Sequence, residues 1–174
     1  MTEQHAALIF ISIDLVSGPD RLRDISREIG EIGRIAATSS VYKRYLNERS
    51  EDLNSELVMV MKVETQKSEM DIFRFLKMKE KPGDHHQLAR PECFLLLSFD
   101  QMTRLVPGQN LPSPLLHSDR LVLRCAAEAW GSYEHPVLGQ SLNEIVKSEK
   151  EIVGVEFFSQ TLTEKTDYQN KESP

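Results

Sequence analysis

Ala7-Leu-Ile-Phe-Ile-Ser-Ile13 is an apolar, β-prone run interrupted by a single serine, and its reading decides the fold. A strand with one solvated face alternates apolar and polar side chains, so a run without alternation belongs to a strand covered on both faces. The sequence therefore predicts a strand near the centre of a sheet. Immediately downstream, Ser17-Gly-Pro-Asp20 supplies a turn and a helix start. Leu22, Ile25, Ile29 and Ile32 then recur at helical spacing as far as Gly33, the pattern of an amphipathic helix laid on that sheet.

Working outward, residues 34–45 carry Ile35, Thr38, Val41 and Tyr42 and read as a strand, and the polar stretch 46–55 reads as a loop. Residues 56–65 form a second apolar strand with charged ends. Ser68 is a helix N-cap, followed by an apolar stripe of Ile72, Phe73, Leu76 and Met78 that runs to about Lys81. A breaker-rich loop over 81–89 leads into a strand at 93–99. A turn at 111–114, a helix over 121–130, a helix over 141–148 and a late strand over 152–158 complete the pattern. Strands and helices in this order, with antiparallel neighbours, predict an α+β sandwich of the ferredoxin-like type in one domain, residues 1–161, with a polar tail at 162–174. Phe157 and Phe158 are expected to be buried in the late strand, each contributing about 2 kcal/mol, with that strand placed on the edge of its own sheet.

At 174 residues the chain is long enough to bury a core without disulfides or metal. A net charge of −6 and dispersed Lys and Arg exclude the basic patches that nucleic-acid binding needs. The apolar runs are too short to span a bilayer, and Met1-Thr-Glu-Gln-His5 lacks a basic n-region, so a cytoplasmic location is expected. Cys93 and Cys125 both fall in apolar segments and read as reduced core thiols.

The C-terminal half carries a further pattern. Leu111-Pro-Ser-Pro114 is followed by His117, Leu121-Val-Leu123, Ala127-Glu-Ala129 and His135-Pro-Val-Leu-Gly-Gln-Ser-Leu-Asn-Glu-Ile145. In order and spacing this resembles the 6-hydroxymethyl-7,8-dihydropterin pyrophosphokinases, with their Leu-x-x-Pro-His-Pro, Phe-Val-Leu and His-Pro-x-x-Gly stretches. Ile9 to Leu15 resembles that family's opening strand, and Ser39-Ser-Val-Tyr42 its Ser-Ser-Leu-Tyr, so the resemblance covers about residues 7–149. It implies the family's fold and, in an intact member, transfer of pyrophosphate from ATP to a dihydropterin with two Mg²⁺ ions held by paired aspartates.

Those ligands are replaced here. By the resemblance, Arg90-Pro-Glu-Cys-Phe-Leu puts Cys93 and Leu95 at the two metal-binding aspartate positions. Leucine has no donor atom, and a thiolate suits softer ions than Mg²⁺. Glu92 is adjacent, but on a strand it points to the opposite face from Cys93. The family's ATP-contacting His corresponds to Ser113, its following arginine to Asp119, which would repel a triphosphate, and its pterin-stacking ring to Leu121. Of the basic loop only Arg90 keeps its place, as an anion grip or in a structural pair. The family's asparagine after the start of its third strand corresponds to Asn54 or is lost at Val58.

Other signals have plainer readings. Asp84-His85-His86 lacks a third spaced ligand, Asp14 at a strand end reads as a turn or cap carboxylate, His135 with Pro136 and Gly139 sets the approach to the last helix, and Trp130 with Tyr133 reads as core. The expectation is a non-catalytic binding or interaction module, monomer or homodimer, with a protein or small-molecule partner and no cofactor. The alternatives are an active ATP- and Mg²⁺-dependent pyrophosphokinase with ligands relocated to Asp14, Glu92 and Asp100, and a nucleotide or pterin sensor.

Overall fold

The computed structural model describes residues 3–47, 54–83, 90–148 and 150–160. In chain order the elements are β1 (His5–Asp14), α1 (Gly18–Gly30), β2 (Arg34–Thr38), β3 (Val41–Tyr45), β4 (Ser55–Thr65), α2 (Glu69–Lys79) and β5 (Cys93–Phe99). There follow β6 (Arg104–Val106), β7 (Gln109–Leu111), α3 (Leu115–Ser118), α4 (Arg120–Trp130), β8 (Glu134–His135), β9 (Gln140–Ser141), α5 (Leu142–Lys147) and β10 (Val155–Ser159). The main sheet runs β10-β3-β4-β1-β5, with β2 also pairing β4. All its pairings are antiparallel.

β1 lies inside this sheet, paired along its whole length with β4, from His5 opposite Thr65 to Asp14 opposite Glu56, and with β5 on its other side. Its side chains divide by parity. Ala7, Ile9, Ile11 and Ile13 join Leu22, Ile25, Ile29, Ile72 and Leu76 from α1 and α2. Leu8 and Phe10 join Leu121, Val122, Cys125 and Ala126 of α4 and Leu142 of α5. The unbroken apolar run is therefore the signature of a middle layer with helices on both sides.

Residues 34–45 are not one strand. Ser39 is fully buried and takes the backbone into β4: its N–H donates to the Val60 carbonyl (2.8 Å) and its Oγ accepts the Val60 N–H (2.9 Å). The step at Ser39-Ser40 leaves β2 and β3 to pair with successive halves of β4. The tight entry to β2 needs Gly33, because a Cβ there would stand 2.4 Å from the Glu64 carbonyl oxygen.

Three expectations fail, the first by rotation about a helix axis. Met78 is 75% exposed, since six residues beyond Ile72 places it about 120° round the helix from that buried position. The late strand begins at Val155, three residues later than the apolar run, because Gly154 turns the chain at φ 74 while its carbonyl accepts the Tyr45 N–H. β10 pairs with β3 at the sheet edge, and there Phe157 and Phe158 are 61% and 39% exposed. Phe157 rests edge-on against Tyr42 rather than in the core, so the expected burial energy does not apply.

Among the described residues no helix is long and apolar enough to cross a membrane. The tail at 162–174 and the Asp84-His85-His86 loop lie outside the described residues.

Candidate functional site

The end of the sheet where β1 finishes and β5 begins gathers most of the singled-out residues. On the face toward α4, Ser12 Oγ donates to Glu56 Oε2 (2.5 Å), and Arg44 Nε donates to Glu56 Oε1 (2.6 Å). Arg44 Nη1 donates to Asp119 Oδ2 (2.7 Å). The other oxygen of Asp119 accepts the N–H groups of Leu121 (3.0 Å) and Val122 (3.1 Å), capping α4. Every carboxylate oxygen in this chain of contacts already has a donor. Asp119 acts as a helix cap and an arginine partner here.

On the opposite face Glu92 is buried and held bidentately by Arg21, Nε to Oε1 at 2.5 Å and Nη2 to Oε2 at 2.7 Å. Lys81 N–H donates to the same carboxylate (3.2 Å), and Arg21 Nη1 also reaches Glu28 (2.8 Å). The hydrogen bond to Glu92 drives the Arg21 pKa well above its ordinary value against the opposing effect of burial. Asp14 accepts the Val16 N–H (2.9 Å) and the Arg90 N–H (3.0 Å), and Arg90 Nη2 donates to Asn54 Oδ1 (3.0 Å). Asp100 belongs to the far end of β1, where it accepts the Ala6 N–H (2.7 Å) and meets His5 Nδ1 (2.7 Å). Eight residues of strand separate Ala6 from Asp14, about 27 Å. The set Asp14, Glu92 and Asp100 therefore does not converge on one ion.

Cys93 is half-buried opposite Ser12, and burial first of all raises its pKa, so the thiol stays protonated at neutral pH. Leu95 packs at the margin of the α4 side of the core and offers no donor atom. Leu121 is 1% exposed inside that core, with no open face for a flat ring. Ser113 is buried in the turn before α3, its N–H donating to the Leu97 carbonyl (2.7 Å) and its Oγ accepting the Leu115 N–H (3.3 Å). Leu95 and Ser113 meet in the wall of a pocket of about 310 Å³ beside β5. Each described residue lining it is uncharged.

The plainer signals take structural places. His135 is buried and its Nδ1 accepts the Val137 and Leu138 N–H groups (both 3.3 Å), fixing the turn into β9 and α5. Burial, then His117, lowers its pKa. Tyr133 is buried against Trp130, whose other neighbour is the Lys62 ammonium at 4.4 Å from the ring centroid. Cys125 is pushed up to about 12 by burial. Among the described residues no group of three or more His, Cys, Asp or Glu is arranged to hold a metal ion.

Sequence reasoning missed Arg21, Arg44 and Glu56. A signal existed for Arg21, which stands four residues before Ile25 on the apolar stripe of α1, where a charge is tolerated only with a buried partner. Arg44 and Glu56 share strand parity with Ser12 and Cys93, but only the pairing of β3, β4 and β1 brings them together.

A largely antiparallel sheet with helices on both faces defines the class as an α/β sandwich. No protein-family model matches the sequence, and no curated protein does. Solved structures do. The chain superposes on Plasmodium falciparum HPPK-DHPS crystallised with pterin and p-hydroxybenzoate at a TM-score of 0.64, with 9% identity over 84% of this chain and 43% of that one. On the same wild-type protein crystallised with pteroate the TM-score is 0.60, with 11% identity over 84% of this chain and 42% of that one. The chain thus spans less than half the length of these neighbours, and the shared feature is the fold of the HPPK part, the pterin pyrophosphokinase whose motifs the sequence resembles.

Proposed function

We propose that this chain uses the HPPK-like fold as a non-catalytic binding module, without pyrophosphoryl transfer. The carrying observation is that Leu95 and Ser113, at the positions the resemblance assigns to a metal ligand and an ATP contact, line a pocket without a charged residue among those described. Phosphoryl transfer depends on charge neutralisation by bound cations and basic groups. A leucine and a protonated thiol do not fit Mg²⁺. The nearby charges of Arg44, Glu56 and Asp119 are engaged with one another and with α4. The pocket favours a small molecule as partner over a purely structural role.

Calorimetry tests this reading with a non-hydrolysable ATP analogue, Mg²⁺ and 6-hydroxymethylpterin, singly and together. The expected result is no Mg²⁺-dependent saturable heat. Saturable binding of the analogue that requires Mg²⁺ overturns the reading.

A further inference from the structure

We propose that the groove between α4, the end of α5 and the residues leading into β10 binds a small organic phosphate monoester, with its phosphate on Arg120, Arg124 and Lys150 and its apolar body on the floor beneath them. The groove shares no lining residue with the pocket of Leu95 and Ser113, so the proposal goes beyond the non-catalytic reading and does not depend on it.

The groove has a volume of about 470 Å³. Its floor is Val146, Ile152 and Val155, half-buried side chains packed against the core on the α4 side of the sheet. Arg120 and Arg124 are four residues apart on α4 and stand side by side on one face of it, and Lys150 closes the groove from the chain that follows α5. Glu151 is the one carboxylate among the described lining residues. Three cations against one anion leave two positive charges in the groove, on a chain whose net charge is −6. A phosphate monoester carries about −1.5 to −2 at pH 7 and three strong acceptor oxygens, which matches that charge and gives each cation an oxygen.

Arg124 is positioned without being neutralised. Its guanidinium lies 5.2 Å from the centroid of the Tyr42 ring, and its Nε is 3.7 Å from Glu128 Oε1, beyond hydrogen-bond reach. Glu128 is committed elsewhere, since Oε1 accepts the Tyr42 hydroxyl and Oε2 accepts the Ser40 N–H (2.8 Å). These contacts fix the guanidinium and leave its N–H fork able to grip an anion bidentately. Arg44 and Asp119, beside Arg120 in the adjoining hollow, are paired with each other and do not compete for the ligand. The floor selects further, because an organic ester can cover Ile152 and Val155 whereas a bare phosphate leaves them wet.

The test is a titration of the ¹⁵N-labelled full chain at low salt with phenyl phosphate, inorganic phosphate and phenol, all without Mg²⁺. Phenyl phosphate is expected to saturate with a Kd of about 1 mM, moving the backbone signals of Arg120, Arg124, Val146 and Ile152. Phenol, which lacks the charge, should bind about tenfold more weakly, and inorganic phosphate, which lacks the apolar body, about fivefold more weakly. Arg124→Gln should weaken phenyl phosphate about tenfold and Lys150→Gln about threefold, both at exposed positions. Shifts that do not saturate, shifts confined to other residues, or phenol or inorganic phosphate binding as tightly as phenyl phosphate overturn the proposal on the unaltered protein, whether or not a variant folds. Unchanged affinity in both folded variants overturns it as well. AMP release from ATP overturns the non-catalytic reading and leaves this site standing.

Discussion

Arg21 and Arg44 stand at the same end of the sheet on opposite faces, and each holds two carboxylates. Arg21 is sealed, its side chain 7% exposed, and grips Glu92 through two parallel hydrogen bonds with Glu28 alongside. Arg44, 25% exposed, spans Glu56 and Asp119 at the protein surface. The chemistry is the same and the solvent differs. Water can replace a partner lost from the Arg44 cluster but not one lost from the Arg21 cluster, so the first is adjustable and the second is all-or-none. Both clusters use, within the fold, charges that a phosphate-binding site would need to keep for its ligand.

The largest effect is therefore expected at Arg21. Arg21→Leu leaves Glu92 buried without its partner and should lower the unfolding free energy in urea by about 3–5 kcal/mol. Arg21→Leu combined with Glu92→Leu should recover a large part of that loss, because it removes the stranded charge. Arg44→Leu should cost only about 1 kcal/mol. Equal losses for the two single variants would break the comparison.

A smaller effect concerns acid. His135 in the folded chain binds its proton less readily than an unfolded histidine, because burial and His117 oppose the charge and its Nδ1 is already an acceptor for two N–H groups. The unfolded chain thus takes up more protons, so His135 contributes stability that is complete above the ordinary value of 6.5 and is lost as pH falls below it through the lowered folded value. Denaturation midpoints measured from pH 7.5 downward should show this loss. In His135→Asn, whose amide oxygen can accept the same N–H groups without titrating, the loss should shrink. An unchanged pH slope would show that other groups carry the acid sensitivity.

Legibility in the sequence followed the range of the interactions. β1 was readable because burial on both faces removes alternation over a short stretch, β5 for the same local reason, and α4 because its apolar residues recur at helical spacing. Ser68 was readable as a cap, and it accepts the Asp71 N–H as expected. The division of residues 34–45 was not, since Ser39 breaks the strand through contacts with Val60, 21 residues away. Nor was the Arg21–Glu92 pair, whose members lie 71 residues apart. Asp119 and Leu121 were read through the resemblance as an altered arginine and an absent ring. In the fold they are a helix cap and a core residue, roles set by α4 itself. The apolar, β-branched run over 152–158 likewise showed the late strand but overstated its burial, because apolarity alone does not say whether an edge strand is covered.

The smallest expected effect is a null. Cys93→Asp together with Leu95→Asp should not create pyrophosphokinase activity, because Ser113, Asp119 and the buried Leu121 would still fail to hold nucleotide and pterin. Measurable AMP release by that double variant would show that the rest of the pocket is intact.

The central claim meets its most direct test in the unaltered protein, assayed for AMP release from ATP with 6-hydroxymethyl-7,8-dihydropterin in the presence and absence of Mg²⁺. The account predicts no Mg²⁺-dependent AMP above the rate without protein, as the charge stabilisation that the ions would supply is missing. Turnover at about 1 s⁻¹ or faster, the range of working kinases, would contradict it.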